Sequence, residues 1–213
     1  MADRSERDRP QASTWRENLD SLLWALVLAV AIRTFLVAPY KIPSGSMRPT
    51  LIEGDRILVN KLLRHLREPQ RGDIIVFYYP HEFTPFPQRL RNLLDRQRPL
   101  GQRLSALLSP GRPFIKRLVG VGGDRVEIRE GRVIVNGQPL NGTGIFSANR
   151  YENQGAFGQA GQVVDVPAET FFVLGDNSGS SHDSRFWGFV PRRMVIGKAL
   201  CIFWPVTRWR ALR

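Results

Sequence analysis

Residues 114–140 read FIKRLVGVGGDRVEIREGRVIVNGQPL, and this stretch decides the fold class. Residues 114–119, 125–128 and 132–136 are short runs rich in Ile and Val. Glu130-Gly131 separates the last two, and Asn136-Gly137 follows, a dipeptide suited to the positive φ angles of two-residue hairpin turns. Strands this short, joined by turns this tight, pair antiparallel. The same texture extends outward. DRILVN (55–60) and DIIVFY (73–78) each follow a glycine, and residues 163–166, 170–174 and 195–204 are further β-rich runs between Gly, Pro and Asn turns. No fixed-period repeat interrupts them. The expected architecture is mostly β: an antiparallel β-rich domain preceded by a single N-terminal helix.

That helix is read from residues 21–40, SLLWALVLAVAIRTFLVAPY, which carry one charge, Arg33. A helix of about 20 residues reaches about 30 Å, the hydrocarbon thickness of a bilayer. Trp24 and Tyr40 stand near its ends, and Pro39 is expected to terminate it. Two other readings compete. The charge-free run 21–32 is short enough for a buried core helix, and Ala29-Val30-Ala31 has the A-x-A form of a signal-peptide cleavage site. The long, net-acidic leader and the apolar residues continuing to Ala38 favour a retained transmembrane anchor. The layout expected is a polar tail (1–20), an anchor (21–40) and a β-rich domain (41–213). Flanking Lys and Arg lean weakly toward an inside N-terminus.

The chain has 213 residues, enough for one domain with extensions. Its single cysteine, Cys201, excludes an intrachain disulfide and a cysteine-based zinc site. His65, His81 and His182 are too scattered for a multi-histidine metal centre, so no metal site is expected. A net charge of +12 favours an anionic partner, nucleic acid or membrane head groups. Much of it lies in a basic insertion at 80–113, where Arg89, Arg91, Arg96, Arg98, Arg103 and Arg112 face one acid, Asp95, between 86 and 112. Leu90, Leu93 and Leu94, then Leu100, Leu104, Leu107 and Leu108, recur at helical spacing, and Pro85, Pro87, Pro99, Pro110 and Pro113 divide the stretch. It reads either as an amphipathic element on an anionic membrane or as short helices capping the core. Aromatic residues do not interleave with its charge, which argues against nucleic acid.

Three segments carry chemistry. In residues 42–51, IPSGSMRPTL, two serines flank a glycine between stiffening prolines, a setting for an exposed nucleophile that needs a base. In FIKR (114–117), strand alternation places Phe114, Lys116 and Leu118 on one face and Arg117 on the other. An ammonium on an apolar face loses its proton more readily, and the neutral amine then accepts one from a hydroxyl. GDNSGSSHDSRFWG (175–188) follows an apolar strand and is dense in hydroxyls, as a buried hydrogen-bonded loop is. Asp183 and Arg185 are spaced for one ion pair. His182 adjoins Asp183, but sequence neighbours point apart, so a Ser-His-Asp triad is not expected and His182 is expected to be peripheral.

Taken together, PYKIPSGSMRPTL, GDRILVNK, GDIIVF, FIKRLVGVGGD and GDNSGSSHDSRFWG, in that order behind a hydrophobic segment, resemble the bacterial type I signal peptidases. The resemblance runs from about Leu22 to Trp204 and leaves out the tail and the basic insertion. It implies a membrane-bound serine endopeptidase, anchored with its N-terminus inside and its catalytic domain on the outer face. The enzyme would remove signal peptides from exported preproteins after small residues. Ser46 would be the nucleophile and Lys116 the general base of a Ser/Lys dyad. The Ser44 hydroxyl and the Ser46 amide would form the oxyanion hole, Ser181 would orient the lysine, and Asp183 and Arg185 would form a structural pair. Pockets for small residues at −1 and −3 would map onto Tyr40, Ile42, Pro43, Leu51, Phe114 and Ile115. Its partners would be signal peptides and anionic lipids, not nucleic acid.

The chain departs from the family where Ser178-Gly179 replaces a usual charged pair and where Arg48 follows Met47. A dedicated or self-processing Ser/Lys peptidase, and a non-enzymatic membrane-anchored binding domain, remain the alternatives.

Overall fold

The computed structural model describes residues 14–31, 36–62, 67–95, 97, 99–108, 111–140 and 144–212. The chain opens with helix α1 (Thr14–Ala31), followed by β1 (Val37–Lys41), β2 (Arg56–Asn60) and β3 (Ile74–Tyr78). Two short helices, α2 (Phe86–Leu94) and α3 (Leu100–Leu108), precede β4 (Pro113–Val121). Next come β5 (Arg125–Arg129), β6 (Arg132–Val135), β7 (Gln138–Pro139), α4 (Gly144–Ala148), β8 (Val163–Asp165) and β9 (Thr170–Leu174). The chain closes with α5 (Ser184–Trp187), β10 (Val190–Pro191), β11 (Val195–Trp204) and β12 (Arg210–Ala211).

The strands form two sheets in which the pairings are antiparallel. The larger runs β1-β2-β11-β3-β4-β9-β10 with β12 on β11, and the smaller runs β7-β6-β5-β8. Glu130-Gly131 and Asn136-Gly137 turn the chain with φ of 52°, 77°, 53° and 81°, the left-handed values that tight hairpins require. The fold is therefore the β-rich, antiparallel class expected. Met47, Leu51, Ile57, Val59, Val76 and Ile202 fill one core beneath the residues that follow β1. Val119, Val126, Val135, Phe172 and Leu174 fill a second, against the small sheet. Ile75, Phe77, Leu118, Val173 and Val195 form a third on the large sheet.

The N-terminal expectation needs correction. No helix among the described residues is long and apolar enough to cross a membrane. The helix begins at Thr14, so Arg16, Glu17 and Asp20 occupy its first turns. Residues 37–40, expected within the anchor, instead form most of β1, registered from Val37 opposite Asn60 to Lys41 opposite Arg56. Pro39 does not end a helix; it sits on an edge strand, where a missing N–H is tolerated. Within the expected anchor, Leu22, Leu23, Trp24, Leu26, Leu28 and Val30 are exposed on α1. The tail 1–13, Arg33, Arg96 and Arg98 lie outside the described residues.

Candidate active site

Ser46 is carried by a single 3-10 turn, Gly45–Met47, fastened at both ends. Upstream, the Ile42 amide donates to the Asp55 carbonyl at 2.8 Å and the Gly54 amide donates to the Ile42 carbonyl at 2.9 Å. Downstream, Met47 and Leu51 drop into the core with no exposed surface, and the Leu51 amide donates to the Met47 carbonyl. From the side, Asn177 donates its backbone N–H to the Ser46 carbonyl and its Nδ2 to the Gly45 carbonyl, each at 3.1 Å. A turn held at so many points fixes its central side chain without a cap of its own.

Lys116 reaches this turn from β4, between β3 and β9, with Ile75 as its cross-strand partner. Its Nζ donates to Ser46 Oγ at 2.7 Å. The residue is only 4% exposed, and among the described residues no carboxylate is paired with it. Burial pushes its pKa down from 10.5 to about 8; Asp183 and Asp176 oppose that, and Arg185 adds to it. A substantial fraction of the amine is thus uncharged in mildly alkaline solution while touching a serine hydroxyl.

The surroundings are rigid for a different reason. Arg117, one residue along β4, makes a two-pronged ion pair with Asp176, both bonds 2.7 Å, and donates to the Gly72 carbonyl. Arg185 makes a second pair with Asp183 at 2.8 and 2.9 Å, and also donates to Ser178 Oγ and to the Ser178 and Glu152 carbonyls. Both partners of each pair are essentially inaccessible to water. Ser178, one of the two departures in this loop, therefore anchors Arg185 through its hydroxyl. Asp183 also accepts the Gly175 amide, which tethers the end of β9. Gly175 is required by contact: a Cβ there would overlap the Ser181 hydroxyl and the Ser46 carbonyl oxygen.

Two cavities meet at Ser46 and Lys116. One, of about 380 Å³, is lined by Tyr40, Ile42, Pro43, Phe114 and Ile115, with Ile57 and Val76 deeper and Arg112 at its margin. The other, of about 480 Å³, is more polar and is lined by Arg48, Glu53, Asn177, Ser180 and His182. Ser44 borders both. Five of the six expected substrate-pocket residues thus line the apolar cavity. Leu51 does not: it is wholly buried in the core below the turn, because the turn needs that side chain as its anchor. Ser181 is buried, but its Oγ has no hydrogen-bond partner among the described residues, so the lysine-orienting bond implied for it is not made here. His182 is exposed at the edge of the polar cavity, beside the Tyr79 and Phe186 rings. Sequence reasoning missed Asn177 as a clamp and Asp176 as the partner of Arg117. Fifty-nine residues separate that pair, and only the β4–β9 register brings them together.

A family model described as signal peptidase, peptidase S26, matches residues 15–204. The signal peptidase I of Leptolyngbya laminosa is 41% identical over 201 residues, 94% of this chain and 85% of that protein. The probable signal peptidase I-1 of Synechocystis sp. is 39% identical over 209 residues, 97% of this chain and 92% of that protein. A solved signal peptidase I from Enterococcus faecalis V583 superposes with a TM-score of 0.40 at 29% identity, covering 62% of this chain and 97% of that one.

Proposed function

The chain belongs to the signal peptidase family and is a serine endopeptidase, and from that premise we propose that it cleaves preproteins with a Ser46/Lys116 dyad after small residues in an A-x-A setting. The observation that carries this reading is the 2.7 Å bond between a buried, pKa-depressed lysine amine and a serine hydroxyl at the junction of two cavities. Neutral Lys116 takes the Ser46 proton as Oγ attacks the carbonyl of the −1 residue. The Ser44 hydroxyl and the Ser46 amide receive the oxyanion. The Lys116 ammonium then protonates the departing amine, leaving an acyl-enzyme on Ser46. Lys116 next takes a proton from water as the water oxygen attacks the acyl carbonyl, and returns that proton to Ser46 Oγ as the ester bond breaks and the signal peptide leaves with a free carboxylate. The chemistry needs no metal or organic cofactor.

The apolar cavity takes the residues before the scissile bond, its Ile, Val and Phe walls favouring small apolar side chains. The polar cavity takes the first residues of the mature protein. Asp183 and Arg185 hold the loop that closes the site. Ser181, buried in the same loop, is the residue this reading assigns to orient Lys116. The exposed apolar side chains of α1 hold the enzyme to the bacterial cytoplasmic membrane, with the catalytic domain on the outer face, where preproteins emerge.

Cleavage of a purified A-x-A preprotein, in detergent and in lipid and mapped by mass spectrometry, tests the reading. Wild type is expected to cut once, after the second alanine. Ser46→Ala and Lys116→Ala are each expected to lose at least about a thousandfold in rate while remaining folded. A Lys116→Ala variant with full activity ends the dyad assignment.

A further inference from the structure

Helices α2 and α3 belong neither to the site nor to the cores. They pack on each other, and neither makes an extensive contact with a strand. On α2, Phe86, Leu90 and Leu94 follow at four-residue steps, which places them on one stripe spanning about 80° of the helix. All three are exposed, Phe86 at 59% and Leu94 at 66%, and Leu100 and Leu104 on α3 are exposed as well. Single exposed leucines are ordinary, but five large apolar side chains on two packed short helices are a surface awaiting a partner. The charges give that partner a sign. Arg89 lies over the Phe86 ring, 5.5 Å from its centre, and Arg91 is exposed beside the stripe. From 86 to 103 the sequence holds Arg89, Arg91, Arg96, Arg98 and Arg103 against Asp95 alone, while Arg112 pairs with Glu82 at 3.3 Å.

We propose that the α2–α3 hairpin is a docking surface for an anionic lipid bilayer. Phe86, Leu90 and Leu94 enter at the level of the head groups, and the flanking arginines meet lipid phosphates. Charge selects this occupant: a second copy of the chain would bring the same arginines against these, and nucleic acid would leave the leucines in water. Docking here has a consequence for the site. Arg112 and Pro113, four and five residues after α3 ends, line the apolar cavity, so a docked hairpin holds that cavity beside the lipid surface. Only this consequence rests on the peptidase reading.

The test uses the full chain with Cys201→Ser and Leu94→Cys, the new thiol carrying an environment-sensitive fluorophore. Vesicles of phosphatidylcholine are compared with vesicles containing phosphatidylglycerol, each with and without brominated acyl chains. A blue shift and bromolipid quenching that appear with phosphatidylglycerol, and are largely lost on adding Arg91→Glu, are expected. Water-like emission in both vesicles overturns the proposal. Equal quenching in both overturns its anionic selectivity. A blue shift that grows with protein concentration in vesicle-free buffer assigns the face to self-association instead. Preprotein cleavage in the same samples reads the peptidase separately: cleavage without docking sinks only this inference, and docking without cleavage sinks only the peptidase reading.

Discussion

Lys116 and Arg117 are neighbours on β4, both cationic and both buried, yet their surroundings differ. Arg117 faces Asp176 with two parallel bonds and has a backbone carbonyl for a third. Lys116 faces a hydroxyl, and Asp183 and Asp176 act on it only through their fields. A guanidinium keeps its proton under any such conditions, so it must be neutralised by a partner. An ammonium denied a partner gives up its proton instead. The same strand thus makes a frame on one face and a base on the other, and the difference is made by which carboxylates are allowed to touch which cation.

Removing a partner from the frame is expected to have the larger effect on stability. Asp183→Ala strips Arg185 of its carboxylate where neither residue meets water, and also orphans the Gly175 amide. Loss of one partner of a buried pair costs about 3–5 kcal/mol. Urea unfolding at neutral pH measures it, and Asp176→Ala is expected to behave alike through Arg117. A loss below about 1 kcal/mol in both, of the size seen for surface pairs, would place these pairs outside the frame.

The base side is expected to respond in the opposite direction. A pKa held at about 8 rather than 10.5 means the charged lysine is disfavoured in the fold by roughly 3 kcal/mol. Lys116→Met removes that penalty and loses one hydrogen bond, so it is expected to unfold about 2 kcal/mol harder than wild type at pH 7 while being inactive. The sign follows from proton binding. Between about pH 8 and 10.5 the unfolded chain holds this proton and the folded chain does not, so the wild-type contribution improves as pH rises through that window. The advantage of Lys116→Met should therefore shrink above pH 8 and stay constant below it. Wild-type kcat/KM should rise with pH through an apparent pKa near 8. An activity profile flat from pH 6 to about 9 would be incompatible with a lysine base.

How much of this contrast the sequence discloses depends on its range. Strand alternation is local, so the opposite facing of Lys116 and Arg117 is legible from FIKR alone. Glu130-Gly131 and Asn136-Gly137 announce their hairpins because φ > 0 is demanded within two residues. Which carboxylate meets Arg117 is decided by the β4–β9 register, which no local pattern encodes. Residues 37–40 mislead for a related reason: apolar residues continuous with an apolar helix cannot be told from it until β2 supplies the ladder. Leu51 lies close to Ser46 in sequence, but the 3-10 turn sends it down into the core rather than out into the cleft.

The smallest expected effect lies where frame and site meet. Asn177 belongs to the 175–188 loop, but its bonds go to the backbone of Gly45 and Ser46. It therefore couples the ion-pair frame to the position of the nucleophile. Asn177→Ala keeps the backbone N–H bond to Ser46 and removes the side-chain bond to Gly45, a stability cost of about 1 kcal/mol. If the bond positions Ser46 Oγ against Lys116, kcat should fall roughly tenfold with KM nearly unchanged, because loosened alignment is felt in the chemical step. Asn177 also borders the polar cavity, so the same substitution separates two roles. A raised KM with kcat intact would make Asn177 a substrate contact on the leaving-group side, and the frame would then hold the serine through the turn's own hydrogen bonds and its Met47 and Leu51 anchors.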